Sequence, residues 1–199
     1  MNLEDYQTVF TVTVLGLTLI AAFPTISMVV LFPEGSERFS EFWLLGPGHM
    51  AEGYPFNVQN GEVQGPVYVG VRNHMGGSQY YLVYVKFRNQ TQSLPNVTAS
   101  TPSPLLPLYE FQFFLGDGEM WEKPLTFSVE DVLFQGDSAF VGSMSINDVV
   151  FSVNVSAKWD SEYEGYYCQL FFELWLYDRE VQDFQFHNRF VGIWLNMTS

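Results

Sequence analysis

An all-β domain of antiparallel strands behind one apolar helix is predicted by three observations. No charged side chain occurs between Asp5 and Glu34, and Thr8 to Phe32 is almost wholly apolar apart from threonines. Beyond that run the period switches to two, as where Val149, Phe151, Val153 and Val155 alternate with Ser152, Asn154 and Ser156. Clusters of Gly, Pro, Asn and Asp punctuate these segments at short spacing, and no internal repeat or heptad interrupts them.

The first element is the apolar start, residues 1–32. About 20 apolar residues cross a bilayer's hydrocarbon at helical rise, so the run reads as a single membrane anchor. Its length and lack of a polar stripe argue against a buried core helix. Pro24 predicts a kink, leaving Thr8 to Phe23 as a straight part of about 24 Å. The hydroxyls of Thr11, Thr13, Thr18 and Thr25 are expected to return bonds to preceding carbonyls. Glu4 and Asp5 in place of a basic n-region, and only an Ala21, Ala22 pair as a cleavage signal, predict retention instead of removal. Orientation is weakly coded, since Arg38 is the only nearby basic residue.

Residues 33–199 form the second unit, a length suited to one domain able to bury roughly 70% of its unfolded surface. Phe39 to Leu45 is a short strand stopped by Gly46, Pro47 and Gly48. Val67, Val69 and Val71 alternate with Tyr68, Gly70 and Arg72, and Tyr81, Val83, Val85 and Phe87 form the next apolar face. The Asn73 to Ser78 connection, with Gly76 and Gly77, predicts that these two strands form a hairpin. From Asn89 to Pro107 the period is lost among four prolines, serines and threonines, which reads as an exposed loop.

Pairing is expected to resume with Tyr109, Phe111 and Phe113, a turn at Gly116, Asp117 and Gly118, and a strand carrying Leu125, Phe127 and Val129 on one face. Pro124 within it predicts an edge strand. Phe140 to Ile146 and Val149 to Lys158 flank an Asn147, Asp148 turn, and Tyr166 to Tyr177 and Phe190 to Met197 close the domain. Strands at this spacing argue for a two-sheet antiparallel β-sandwich of immunoglobulin-like type.

The formal net charge of −14, from 22 acidic and 8 basic side chains, repels phosphates and excludes a nucleic-acid partner. Cys168 is the only cysteine, so no internal disulfide forms, and its apolar neighbours predict a buried, inert thiol. Four of the ten asparagines begin Asn-x-Ser/Thr triplets: Asn89, Asn96, Asn154 and Asn196. They predict an exported, glycosylated domain on the extracytoplasmic side of the cell membrane.

Several segments resemble a family of archaeal and bacterial membrane proteins known as domain of unknown function sixteen-sixteen. The likeness rests on Glu37, Arg38, Phe39, Glu41, Phe42, Leu45, Gly46 and Pro47; on Ala51, Glu52, Tyr54 and Pro55; on Val69, Gly70, Val71, Asn73 and His74; and on Trp121, Glu122, Lys123, Pro124 and Phe127. A closing strand with Phe172, Leu174, Leu176 and Tyr177 is also similar. The resemblance implies an extracytoplasmic β-sandwich on a membrane anchor, sometimes encoded near surface-polysaccharide functions. It implies no catalytic residues. The chain departs from the pattern in its single apolar segment and in the long Asn89 to Pro107 and Glu130 to Ser161 regions.

Chemistry-bearing motifs are sparse. Gly46 to Ala51 has the letters of a dinucleotide loop, but Gly53 and Pro55 forbid the helix whose N-terminus would hold phosphate. His49 with Met50 and His74 with Met75, joined by His187, offer the imidazole and thioether mixture that copper accepts, against solvent-facing or carbonyl-bonded histidines as the plainer reading. No cofactor is predicted. Glu119 with Glu122, or Asp160 with Glu162 and Glu164, offer paired carboxylates for hydrolysis, against a simple role in solvating loops.

Aromatics make up 18% of the residues. On the Tyr166 to Tyr177 strand both faces are apolar, so Phe171, Trp175 and Tyr177 either lie under the domain's own loops or meet a partner. The chain is thus expected to be a non-catalytic structural or accessory subunit of an envelope or membrane complex. A glycan-binding surface module is the alternative, with a copper-binding or hydrolytic enzyme behind it.

Overall fold

The structure, a computed structural model, describes residues 6–18, 20 and 37–198. The chain divides into two units, Met1–Arg38 and Phe39–Ser199, each described by itself.

In the first unit residues 6–18 and 20 are helical. The threonine hydroxyls behave as the sequence suggests: Thr11 Oγ1 donates to the Gln7 carbonyl at 2.8 Å, Thr13 to Val9 at 2.8 Å and Thr18 to Leu15 at 2.9 Å. Phe10, Val12, Leu15, Leu17 and Ile20 are exposed. Among the described residues no helix is long and apolar enough to cross a membrane. The Pro24 kink and Thr25 lie outside the described residues.

The second unit is all-β. Its strands are β1 (Phe39–Leu45), β2 (Asn57–Gln59), β3 (Gln64–His74), β4 (Gln79–Asn89), β5 (Tyr109–Leu115), β6 (Met120–Gln135), β7 (Ser138–Ile146), β8 (Val149–Asp160), β9 (Gly165–Asp178) and β10 (Asp183–Thr198). They form one curled sheet in the order β1-β3-β6-β7-β8-β9-β10-β2, with β4 lying on β9 and β5 on β4. All these pairings are antiparallel except that of β2 with β10. One core closes the curl: Val69, Val71, Phe127, Val141 and Ile146 from one half meet Val83, Val85, Leu170, Phe172 and Leu195 from the other. Alternation puts these side chains on one face of each strand, and their burial is the main stabilising term.

The β7–β8 hairpin is as expected. Ile146 pairs with Val149, and positive φ at Asn147 and Asp148 (48° and 66°) makes the two-residue turn whose twist matches the strands. The other two predicted hairpins do not form. β3 pairs with β1 and β6 while β4 pairs with β5 and β9, and β5 likewise does not pair with β6. Both turns instead carry the chain from one half of the sheet to the other. The wholly buried Asn73 ties them together, its Nδ2 donating to the carbonyls of Gly77, Leu115 and Gly116 at 2.8 to 3.0 Å.

Pro124 lies in a strand with neighbours on both sides, not in an edge strand. β6 is long enough to change partners: residues 120–125 run beside β3, while the β7 ladder begins only at Phe127. At Pro124 the β7 side is therefore open, and a residue without an N–H is tolerated there.

Candidate binding cleft

The strand predicted to present a partner surface is β9, and its outer face is largely covered. Phe171 is wholly buried, as is Leu82, which lies opposite Trp175 on β4, so Phe171 is not a surface residue. The cover is the Pro/Ser loop, which is strapped down at Ser103 while residues 96–101 stay exposed as expected. Ser103 N donates to Glu173 Oε1 at 2.8 Å, and Lys86 Nζ donates to Ser103 O at 2.9 Å and to Glu173 Oε2 at 2.8 Å. Trp175 and Tyr177 are half-buried. The Trp175 indole donates to Glu173 Oε2 at 3.1 Å and meets Tyr84 edge-on, while Tyr177 packs on Phe184.

The histidine and methionine pairs do not converge. His49 Nδ1 is 2.9 Å from Glu122 Oε1 and its ring stacks on Tyr68. His74 Nε2 is 3.0 Å from Glu41 Oε1, with Phe39 against its face. His187 Nε2 is 3.1 Å from the buried Ser40 hydroxyl, which is bonded in turn to Tyr81. Burial, with Arg189 nearby, lowers the His187 pKa. Met50 is exposed and Met75 half-buried. Among the described residues no three His, Cys, Asp or Glu side chains are grouped as a metal requires.

The acidic pairs shape turns. Glu119 Oε2 accepts from Gly116 N at 2.6 Å, and Glu122 is held by His49 and by the Trp43 indole. Asp160 Oδ1 accepts from the N–H groups of Glu162 and Tyr163. Cys168 is buried, and burial pushes its thiol up to about 12, which leaves no thiolate at neutral pH.

Of the four acceptor asparagines, Asn96 and Asn154 are exposed while Asn89 and Asn196 are half-buried. Asn89 Nδ2 donates to Ser156 O at 2.8 Å, and its Oδ1 accepts from Thr91 and Gln92. Asn196 Nδ2 donates to Asn57 Oδ1 at 3.0 Å and its Oδ1 accepts from Tyr166 N.

A cleft of about 470 Å³ opens where the β8–β9 turn, the approach to β2 and the start of the Pro/Ser loop meet. Phe56, Gln90, Asp160, Tyr163, Tyr167 and Trp194 line it. The Phe56 and Tyr167 ring centroids are 6.0 Å apart, and Tyr163 stands nearly perpendicular to Tyr167 at 6.5 Å. Asp160 shapes the turn that lifts Tyr163, and the Tyr167 hydroxyl donates to the Tyr163 carbonyl at 2.5 Å. Arg88 holds the loop start by donating to the carbonyls of Asn89 and Gln90, and its guanidinium lies 5.3 Å from the Trp194 ring. A second cleft, about 670 Å³, shares Phe56 and Trp194 with the first and runs over Tyr54, Pro55 and Gly192.

Sequence reasoning singled out none of these aromatics as a site. Phe56 and Tyr163 lie outside the regular strands, where no period marks them, and Trp194 stands among apolar β10 residues. The available signal was a bulky ring in place of a polar residue within the turn Asp160 to Glu164.

A family model described as Domain of unknown function (DUF1616) matches residues 33–136, which spans β1 to β6. No curated protein matches the chain. Among solved structures, a β-glucosidase from Listeria innocua, in complex with gluconolactone, is similar at 12% identity and a TM-score of 0.32. The match covers 83% of this chain and 17% of that one, so the chain spans a small part of that enzyme's length.

Proposed function

Because the chain belongs to the DUF1616 family, whose model matches just over half of it, and that family carries no assigned activity, we propose a role drawn from the chain's own features. It is a non-catalytic ectodomain, an immunoglobulin-like β-sandwich held at the extracytoplasmic face of the cell membrane by one N-terminal helix. It serves there as a structural or accessory subunit of an envelope or membrane complex.

The uncharged run between Asp5 and Glu34 carries this reading. Phe10, Leu15, Leu17 and Ile20 on its helical part are exposed, an apolar surface that water disfavours and lipid or a partner helix accepts. A non-catalytic role is supported by where the reactive groups point: Glu119, Glu122 and Asp160 brace turns or side chains, and Cys168 is buried. The shared core between the two halves of the sheet supports the sandwich reading.

The test is fractionation of cells producing the full chain, followed by native mass measurement of detergent extracts. The expected result is membrane-bound protein, digested by external protease on intact cells, that leaves detergent extracts within a larger assembly. Protein found free of membranes, or a strictly monomeric extracted species, overturns it.

A further inference from the structure

We propose that the paired clefts around Phe56 and Trp194 bind a neutral oligosaccharide, with Trp194 and Tyr167 as stacking platforms and Gln90 and Asp160 as hydroxyl acceptors. This goes beyond the accessory role and stands whether or not the chain is membrane-anchored.

Four aromatic rings line one opening, and three of them hold large areas open to solvent: Phe56 is 48% exposed, Tyr163 67% and Trp194 41%. Such rings are costly to leave in water unless their faces are used, and binding sites retain them because rigid, amphipathic faces contribute contact area at little entropic cost. A pyranose ring offers the complementary surface, with axial C–H groups for a ring face and equatorial hydroxyls for acceptors at the rim.

Charge selects a neutral ligand. Asp160 in the lining and a formal net charge of −14 disfavour an anion. The Arg88 guanidinium already stands 5.3 Å from the Trp194 ring, so a cation stacked on that indole would meet a fixed like charge. Extent selects a chain over a single sugar, because the second cleft continues the first past the shared Phe56 and Trp194.

The experiment is titration of the full-length chain, in a polyoxyethylene detergent because sugar-headed detergents would compete. The probes are neutral tri- and tetrasaccharides of glucose, mannose, galactose and N-acetylglucosamine, followed by tryptophan fluorescence and saturation-transfer NMR, with choline and a sialylated trisaccharide as charged comparisons. The expected result is saturable binding of at least one neutral probe and of neither charged one. Trp194→Ala and Tyr163→Ala should each weaken binding roughly tenfold or more, while Phe114→Ala, which removes an exposed ring far along the sequence at the end of β5, should leave it unchanged. Tyr163 is in an exposed turn, so its variant folds even if the Trp194 variant does not. The proposal is overturned if no neutral probe binds, if choline binds instead, or if a bound sugar is indifferent to Tyr163→Ala.

Discussion

The Trp43 indole reaches across the sheet to Glu122, Nε1 to Oε2 at 3.0 Å, over a strand that lies between them. Trp43, Gly70 and Glu122 occupy one rung of β1, β3 and β6, and the indole lies flat on Gly70. A Cβ built at residue 70 overlaps Trp43 Cε2, Nε1 and Cζ2. The missing side chain is therefore what lets the rung close, and Glu122 in turn holds His49 and the turn after β1.

Gly70→Ala should accordingly destabilise the domain by about 1–3 kcal/mol, the ordinary cost of overpacking. The cause is specific, so Trp43→Ala should relieve much of it. Denaturant unfolding of both single variants and the double variant tests this: a double variant less stable than Gly70→Ala by the full cost of Trp43→Ala shows no coupling and refutes the account.

Lys86 and Glu173 form an ion pair with side chains 4% and 0% exposed. Two charges in so dry a place persist only because both are saturated, Lys86 by Ser103 O and Glu173 by Ser103 N and the Trp175 indole. Lys86→Met leaves Glu173 buried without its counter-charge and should cost about 3–5 kcal/mol. The same variant should free the Pro/Ser loop, read as cleavage between residues 90 and 108 by a protease that leaves the parent intact. Loss of stability without that cleavage would separate the ion pair from the strap.

Much of the fold was legible and its pairing was not. β1 and the β7–β8 hairpin could be read because alternation and an Asn-Asp turn are local signals, complete within a dozen residues. The turns at 73–78 and 116–118 have hairpin composition too, yet they cross between halves of the sheet. What decides is Asn73, whose side chain bonds to both turns at once, a contact over some forty residues that no window along the sequence displays. Apolar residues on both faces of β9 left two options open, a central strand covered on each side or an outer face that meets a partner, and Phe171 follows the first, since it is wholly buried. The aromatic cleft was illegible because its rings come from three separate stretches of chain, around Phe56, Tyr163 to Tyr167, and Trp194.

His187 sets a pH dependence. Its folded pKa is below the ordinary 6.5, through burial first and Arg189 second. The unfolded chain therefore binds more protons than the folded one as pH falls through about 6.5, so stability rises with pH across that window and is lost on acidification. Groups facing the imidazole from neighbouring elements are the Ser40 hydroxyl on β1 and, through it, the Tyr81 phenol on β4. Melting temperatures of the parent and of His187→Gln between pH 7.5 and 5.5 should converge toward low pH, because the variant lacks this proton uptake. Parallel curves would show that His187 is not the group responsible.

Glycan occupancy should divide the four acceptor asparagines in two. Transfer requires the amide Nδ2 to reach an enzyme, and the Asn196 amide is spent on Asn57 Oδ1 while its Oδ1 caps Tyr166 N and packs against Gly165. Asn89 is similarly fixed by Ser156, Thr91 and Gln92. Asn96 and Asn154 are exposed, and Asn154 stands at positive φ (48°), which leaves its side chain outside the β8 ladder's regular pleat. Peptide mass spectrometry of the chain from a glycosylating host should find sugar on Asn96 and Asn154 and bare Asn89 and Asn196. Occupied Asn196 would mean that modification precedes closure of β10 on β2, since the folded rung offers that nitrogen no room.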